Sequence, residues 1–203
     1  VAVEFTPSQS AVLELREEKG IVLEAYDFLD EKRLLLAAEL LRQLADFEKL
    51  GGRLEQQRRL CRSAMGSAVA RHGLHGVQFY PPADIEARLS REQRPFMGVT
   101  LARSQLETED VPDTRQAVNA SPEAVETGNE FRELLQLAAV LAGISGNLQR
   151  LMDEYRKTER RARALENVVI PEIEQLLVNM TAQLEEFDQE EIIRTHRGHQ
   201  QAS

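Results

Sequence analysis

His72 and His75 stand three residues apart, and so do His196 and His199. On a helix that spacing puts two imidazoles on one face. Two imidazoles are only part of a metal site, which needs further donors at defined spacing. No cysteine lies near either pair, and the flanking acids follow no ligand spacing. Both pairs are therefore expected to be solvated helix ends. Glu172 and Glu174, and the run Glu185, Glu186, Asp188, Glu190 and Glu191, offer carboxylates for acid and base work. Acids repeated along an exposed helix are more simply a solvated face. Gly51-Gly52, Gly143 and Gly146 lack the Lys-Ser/Thr that completes a phosphate-cradling loop. Ser, His and Asp fall into no recognisable nucleophilic pattern. These residue types predict a chain that is not an enzyme, with no cofactor and no metal.

The charges say more. Arg150, Arg156, Lys157, Arg160, Arg161 and Arg163 crowd a short stretch, and no Lys or Arg follows until Arg194. Seven acids fall between Glu172 and Glu191. One helix would then carry a basic middle and an acidic end. The cations can pair with Asp27, Asp30, Glu31 and Glu39 of an opposing helix, or form a collar read by surrounding subunits; the two roles are compatible.

The elements that must position these charges are helices. Among 203 residues, only 5% are aromatic and none is Trp, which disfavours a β-sandwich or barrel. From Thr6 the order is cap, Pro7 at the first helical position, and Gln9 closing a capping box. Leu15, Val22, Leu29, Leu36 and Leu50 then follow a heptad, broken by Gln43 and Gln57. Tyr26, Leu40, Phe47, Leu54, Cys61 and Ala68 follow a second, broken by Arg33. Gly73 ends the segment. Ser121-Pro122 starts another, with Leu134, Leu141, Leu148, Tyr155, Ala162, Val169 and Leu176 at strict seven-residue spacing. Leu137, Ile144, Leu151 and Leu165 run three ahead of that row; Ile173, Met180 and Phe187 run four ahead.

Paired heptad rows predict a mainly α fold: a long antiparallel two-helix coiled coil, left-handed because seven residues fall short of two full α-turns. Its helices cover 6–73 and 121–195, and 196–203 is a flexible tail. Residues 74–120 carry Pro81, Pro82, Pro95 and Pro112 and form a small β-hairpin or irregular region near one end, with strands near Asp84–Ser90 and Met97–Glu107. The small residues Ala138, Ala139, Ala142, Gly143, Ser145 and Gly146 are expected to face Ala64, Gly66, Ser67, Ala68 and Ala70. Pro171, inside the strongest heptad run, is expected to kink the helix.

A net charge of -9 disfavours nucleic acid, which calls for surplus Lys and Arg. The lone Cys61 excludes an internal disulfide framework. No run approaches ~18 apolar residues, and Val1-Ala2-Val3-Glu4-Phe5 lacks the features of a signal peptide. A cytoplasmic location is expected, with the membrane met only through partners.

The stretch Lys157-Thr158-Glu159-Arg160-Arg161-Ala162-Arg163-Ala164-Leu165-Glu166-Asn167-Val168-Val169-Ile170-Pro171 resembles the signature of the D subunits of V-type/A-type rotary ATPases. That signature is a basic run, Asn-Ala-Leu-Glu, then a short apolar run ending in Ile-Pro. Glu159 stands where a basic residue is usual, and Arg163 where Asn is usual. Thr6-Pro7-Ser8 resembles the family's opening, Leu29-Asp30-Glu31-Lys32-Arg33 its Leu-Leu-Lys-x-Lys-Arg element, and Met97-Gly98-Val99 its Met-Gly-Val strand start. The end departs: Ile192-Ile193-Arg194-Thr195-His196-Arg197 replaces a basic tail, and the acidic balance contrasts with a family that is often basic. The resemblance implies a central rotor shaft that transmits torque and does no chemistry. It implies four kinds of partner: the rotor's F subunit, the catalytic A and B subunits, and the membrane-ring adaptor, C or d. The candidate contacts are Lys32, Arg33, Met97, Gly98, Val99, Arg156, Lys157, Arg160, Arg161, Arg163, Glu166 and Pro171. The alternative is a coiled-coil adaptor or stalk protein of another assembly, such as an export apparatus.

Overall fold

The computed structural model describes residues 8–79, 85–110 and 120–201. Its elements are α1 (Gln9–Gln78), β1 (Ile85–Phe96), β2 (Val99–Asp110), α2 (Pro122–Ala164), a five-residue π-turn (Leu165–Val169) and α3 (Ile170–Gln201). The chain divides into two compact units, one of residues 1–34 with 155–203, the other of residues 35–154. Each unit contains an antiparallel coiled-coil pairing.

Thr6 and Pro7 lie outside the described residues. The cap observed on α1 is Ser8, whose Oγ accepts the Ala11 N–H at 3.2 Å. Ser121 caps α2 in the same way, accepting from the Ala124 N–H. Gly73 breaks α1 with φ 70°, ψ 164°, and one further short helical stretch follows to Gln78. α3 continues as helix to Gln201, past the tail boundary expected at 196.

In the unit of residues 35–154, Gln57 of α1 meets Glu130 of α2, Arg71 meets Glu123, and His72 meets Ser121. Rising numbers on α1 match falling numbers on α2, so the helices are antiparallel. This register seats Ala64 beside the 123–130 region, not beside 138–146, which overturns the expected small-residue pairing. The small residues have another neighbour. A Cβ at Gly143 would stand 2.9 Å from Ser104 Oγ, so Gly143 lets β2 approach α2 closely.

The seam keeps its heptads through the polar interruptions. Leu36 is fully buried, and Gln43 and Gln57 are each 5% exposed. Burial of an amide is stabilising only when its groups are partnered. Gln57 Nε2 donates to the Glu130 carbonyl at 3.1 Å and to Glu130 Oε2 at 2.6 Å. Gln57→Leu should cost about 1–3 kcal/mol, because it strands a partly buried acceptor. Gln57→Leu combined with Glu130→Leu should recover that loss, since paired apolar replacement removes the orphaned group as well. Urea unfolding of the three proteins checks this.

The hairpin strands are longer than expected. Phe96 pairs with Val99 across a two-residue turn, and the ladder runs back to Ile85 opposite Asp110. Met97 (φ 46°) and Gly98 (φ 83°) both have positive φ, the type I′ geometry that matches strand twist. The Met-Gly pair is therefore the turn, and the strand starts at Val99. Pro95 sits in β1 opposite Thr100, one step from the hydrogen-bonded pair that flanks the turn. Alternation makes that a non-hydrogen-bonded position, so its missing N–H costs the ladder nothing.

In the other unit, Ala11, Val12, Leu15, Ile173 and Met180 form an apolar core, with Val22, Val169, Leu177 and Leu184 packed around it. Lys19 Nζ and Glu174 Oε1 pair across the helices at 2.8 Å. The strict heptad expected of α2 and α3 does not hold past the π-turn. Thr158 and Ala162 are buried, and seven residues on Leu165 and Val169 are half-buried. The next seam positions are Ile173 and Leu177, eight residues on. Leu176, expected in the row, is 40% exposed, and Phe187 is 57% exposed.

The cause is local. Pro171 has no N–H, and in a plain α-helix its ring would meet the Asn167 carbonyl. The wide turn relieves that clash: Ile170 N–H bonds to the Leu165 carbonyl, five residues back. Ile170 itself is α-helical (φ -60°, ψ -50°), so the helix does not end there.

Candidate partner interface

Chemistry needs converging polar groups, and the described residues offer little convergence. No group of three or more His, Cys, Asp or Glu among them could hold a metal. No described helix is long and apolar enough to cross a membrane. His72, expected at a solvated end, is half-buried and bonded through Nε2 to Ser121 Oγ at 2.7 Å. The side chains of His196 and His199 lie outside the described set. Burial pushes the Cys61 thiol up from its ordinary value, which keeps it protonated and inert.

What stands out is an outward band of charge. Tyr155, Thr158 and Ala162 occupy the seam side of their helix, and Thr158 and Ala162 are almost wholly buried. Arg156, Lys157, Arg160, Arg161 and Arg163 are all exposed. At ~100° per residue, Arg156, Arg160 and Arg163 fall together on the side turned from the seam, and Lys157 and Arg161 flank them. Arg163 and Arg160 make contacts along their own helix. Arg163 Nη2 pairs with Glu159 at 2.7 Å, and Arg160 Nε donates to the Arg156 carbonyl at 3.3 Å.

The acids expected opposite them also pair locally. Asp30 accepts from Arg33 and Glu39 from Arg42, each three residues along α1. Within the same unit as the band, Lys32 and Arg33 are half-buried. Glu166 and Pro171 are exposed, Glu166 inside the π-turn and Pro171 just after it.

The hairpin residues belong to the other unit. Met97 and Gly98 are exposed at the tip, with Met97 39% accessible. Val99 is only 7% exposed and is part of the packing, so it presents no outer contact. Sequence reasoning missed what holds this tip. Asn147 is buried on α2; its Oδ1 accepts the Ala102 N–H and its Nδ2 donates to the Ala102 carbonyl, both at 2.8 Å. Gln136 reaches Thr108 Oγ1 at 3.2 Å, so β2 is fastened to α2 along much of its length. The signal was available: Asn147 is a polar residue inside an apolar helical run, between Ile144 and Leu148.

Nearer the tip, Glu39 is 8% exposed. Arg42 donates to it at 2.6 and 2.8 Å and Gln43 at 2.8 Å, while Arg94 of β1 stands 4.0 Å away. The Arg42 bonds, outweighing desolvation, hold the Glu39 carboxyl below its ordinary value of 4.5. A depressed carboxylate adds stability above its unfolded pKa and loses it as pH falls through the folded pKa. Glu39→Gln should therefore lower stability at pH 7 and flatten its decline below about pH 4.5. Thermal unfolding from pH 3 to 7 checks this.

The sequence profile of the ATP synthase D subunit matches residues 11–198. The V-type ATP synthase D subunit of Thermotoga neapolitana is 26% identical over 94% of this chain and 95% of its own length. The A-type ATP synthase D subunit of Archaeoglobus fulgidus is 26% identical over 94% of each chain. That of Pyrococcus furiosus is 30% identical over 89% of this chain and 79% of its own. A match over nearly the whole length, on a coiled coil that carries a mid-chain hairpin, establishes that this chain belongs to the ATP synthase D-subunit family.

Proposed function

We propose that this chain is the central rotor shaft of a V/A-type ATPase, carrying torque between a catalytic A/B hexamer and a membrane ion-translocating ring. It takes no part in the chemistry and needs no cofactor. The observation that carries this reading is the outward cation band at Arg156, Lys157, Arg160, Arg161 and Arg163. A turning element needs contacts that are charged and hydrated, so that each can be exchanged for the next without breaking an apolar lock. It must also differ around its circumference, so that similar catalytic interfaces meet different surfaces. A band confined to one side meets that need.

The other partners follow the same logic. Leu41, Leu44, Phe131 and Leu135 are 42–68% exposed in the unit that bears the hairpin. Large apolar side chains left exposed favour a stable, co-rotating neighbour, which is the role proposed for the F subunit. The adaptor C or d joins the chain to the ring, so the protein sits at the cytoplasmic periphery of a membrane complex.

Co-expression with A, B and F subunits tests the assembly. The chain should co-purify with the hexamer and with F, and hydrolysis should depend on its presence. A hexamer that assembles and hydrolyses ATP equally well without it would sink the reading and favour another stalk assembly.

A further inference from the structure

Seam positions repeat every seven residues before the π-turn and every seven after it, as in Thr158 to Leu165 and Ile173 to Met180. Across it the interval is eight, from Leu165 to Ile173 and from Val169 to Leu177. The helix therefore holds one residue more than its heptads can use. A plain α-helix would carry that excess forward as a rotation of ~100°, turning the following face off the seam. Here a single wide turn absorbs it, and Ile173 and Met180 return to the core.

The turn that absorbs it is held mainly by Val169, which packs against the apolar core beyond it. None of its five residues is buried; Leu165 and Val169 are half-buried, and Glu166, Asn167 and Val168 are exposed. Pro171 withholds a donor, which removes one backbone hydrogen bond from the helix at this point. Beyond the turn lies a separate apolar core, with Ala11, Val12 and Leu15 of α1 against Ile173 and Met180 of α3. Before it, Thr158 and Ala162 are buried. A turn with one spare residue and three exposed positions thus lies between two stretches with buried residues.

We propose that Leu165–Pro171 is a torsional joint, in which the spare residue lets α3 twist about its own axis relative to the helix before it while both flanking seams stay packed. The joint takes up twist by widening or tightening one helical turn, with no loss of core contacts on either side. This is a property of the chain itself, independent of the rotor reading. Its failure would leave that reading in place, and the reverse is also true.

The test compares the full-length protein with two variants by amide hydrogen exchange. In the wild type, amides of residues 166–170 should exchange about tenfold or more faster than those of 155–162 and 173–180, because local opening there disturbs only half-buried side chains. Deleting Pro171 removes the spare residue and the missing donor together, restoring uninterrupted heptads. That deletion should slow the joint to the rate of its flanks and raise Tm. Pro171→Ala restores the donor but keeps the eight-residue interval, so its exchange should stay faster than that of the deletion. Wild-type exchange as slow at 166–170 as in the flanks would overturn the proposal. So would equal protection in the two variants, since the spare residue would then play no part. If the deletion variant fails to fold, the heptad reading of the joint is wrong.

Discussion

Replacing Asn147 with leucine is expected to lower the unfolding free energy by about 3 kcal/mol, since each backbone group it orphans costs about 1–3 kcal/mol. The side chain is buried and closes a bidentate contact on the Ala102 N–H and carbonyl, both at 2.8 Å. Leucine would leave both of those groups facing apolar surface. Arg150 Nη2 also donates to Asn147 Oδ1, at 2.6 Å, and would lose its acceptor. Asn147→Asp keeps an oxygen for the Ala102 N–H and for Arg150 but sets a second acceptor against the Ala102 carbonyl, so it should recover only part of the loss. The loss should be local in origin. Amides of β2 should lose protection before those of the core around Ala11, Val12 and Ile173, which belongs to the other unit. Urea unfolding with residue-resolved exchange measures both; uniform loss of protection would mean that Asn147 supports more than the hairpin.

Reversing Arg160, Arg161 and Arg163 to glutamate is the second large expected effect, and it falls on function. All three are exposed, and the Arg163–Glu159 pair is worth little because the Arg163 side chain is largely hydrated. The triple variant should fold with Tm within about 2 °C of wild type, as surface substitutions usually do. In the assembled complex, coupled ATP turnover should fall about tenfold or more, with a changed salt dependence, because charge at a rim governs encounter and register. Unfolding of the purified pair with the F subunit would instead make the band structural.

The heptads made the helices and their antiparallel pairing legible, because a seven-residue apolar period has few other structural meanings. Ser121 was readable as a cap for the same kind of reason: a hydroxyl before Pro122 has a specific task at a helix start. The polar interruptions Gln43 and Gln57 showed as breaks in the pattern, but their partners did not. Glu130 comes opposite Gln57 only once the register is set, and a repeating seam allows several registers.

The hairpin was half legible. Met97-Gly98 lacks the Asn or Asp that marks a type I′ turn, so its positive φ values were hidden by residue type. The small-residue run at 138–146 signalled close approach without naming the neighbour, which at Gly143 is strand β2. Pro171 was flagged as a disturbance, but its consequence lay downstream. The extra residue in the π-turn moved Leu176 out of the seam and Leu177 into it, a change that strict spacing cannot foresee. For the interface, exposure of the basic band followed from helical phase. The burial of Val99 depended on which hairpin face met the rest of its unit.

The central claim is that this chain turns. The direct measurement fixes an A/B hexamer containing the chain to a surface and attaches a probe to β1 at the exposed Arg91, as Arg91→Cys. Cys61 is buried and would not compete for the label. With ATP, the probe should rotate in one direction, in steps that stop when ATP is removed. Sustained ATP hydrolysis with the probe stationary would contradict the account.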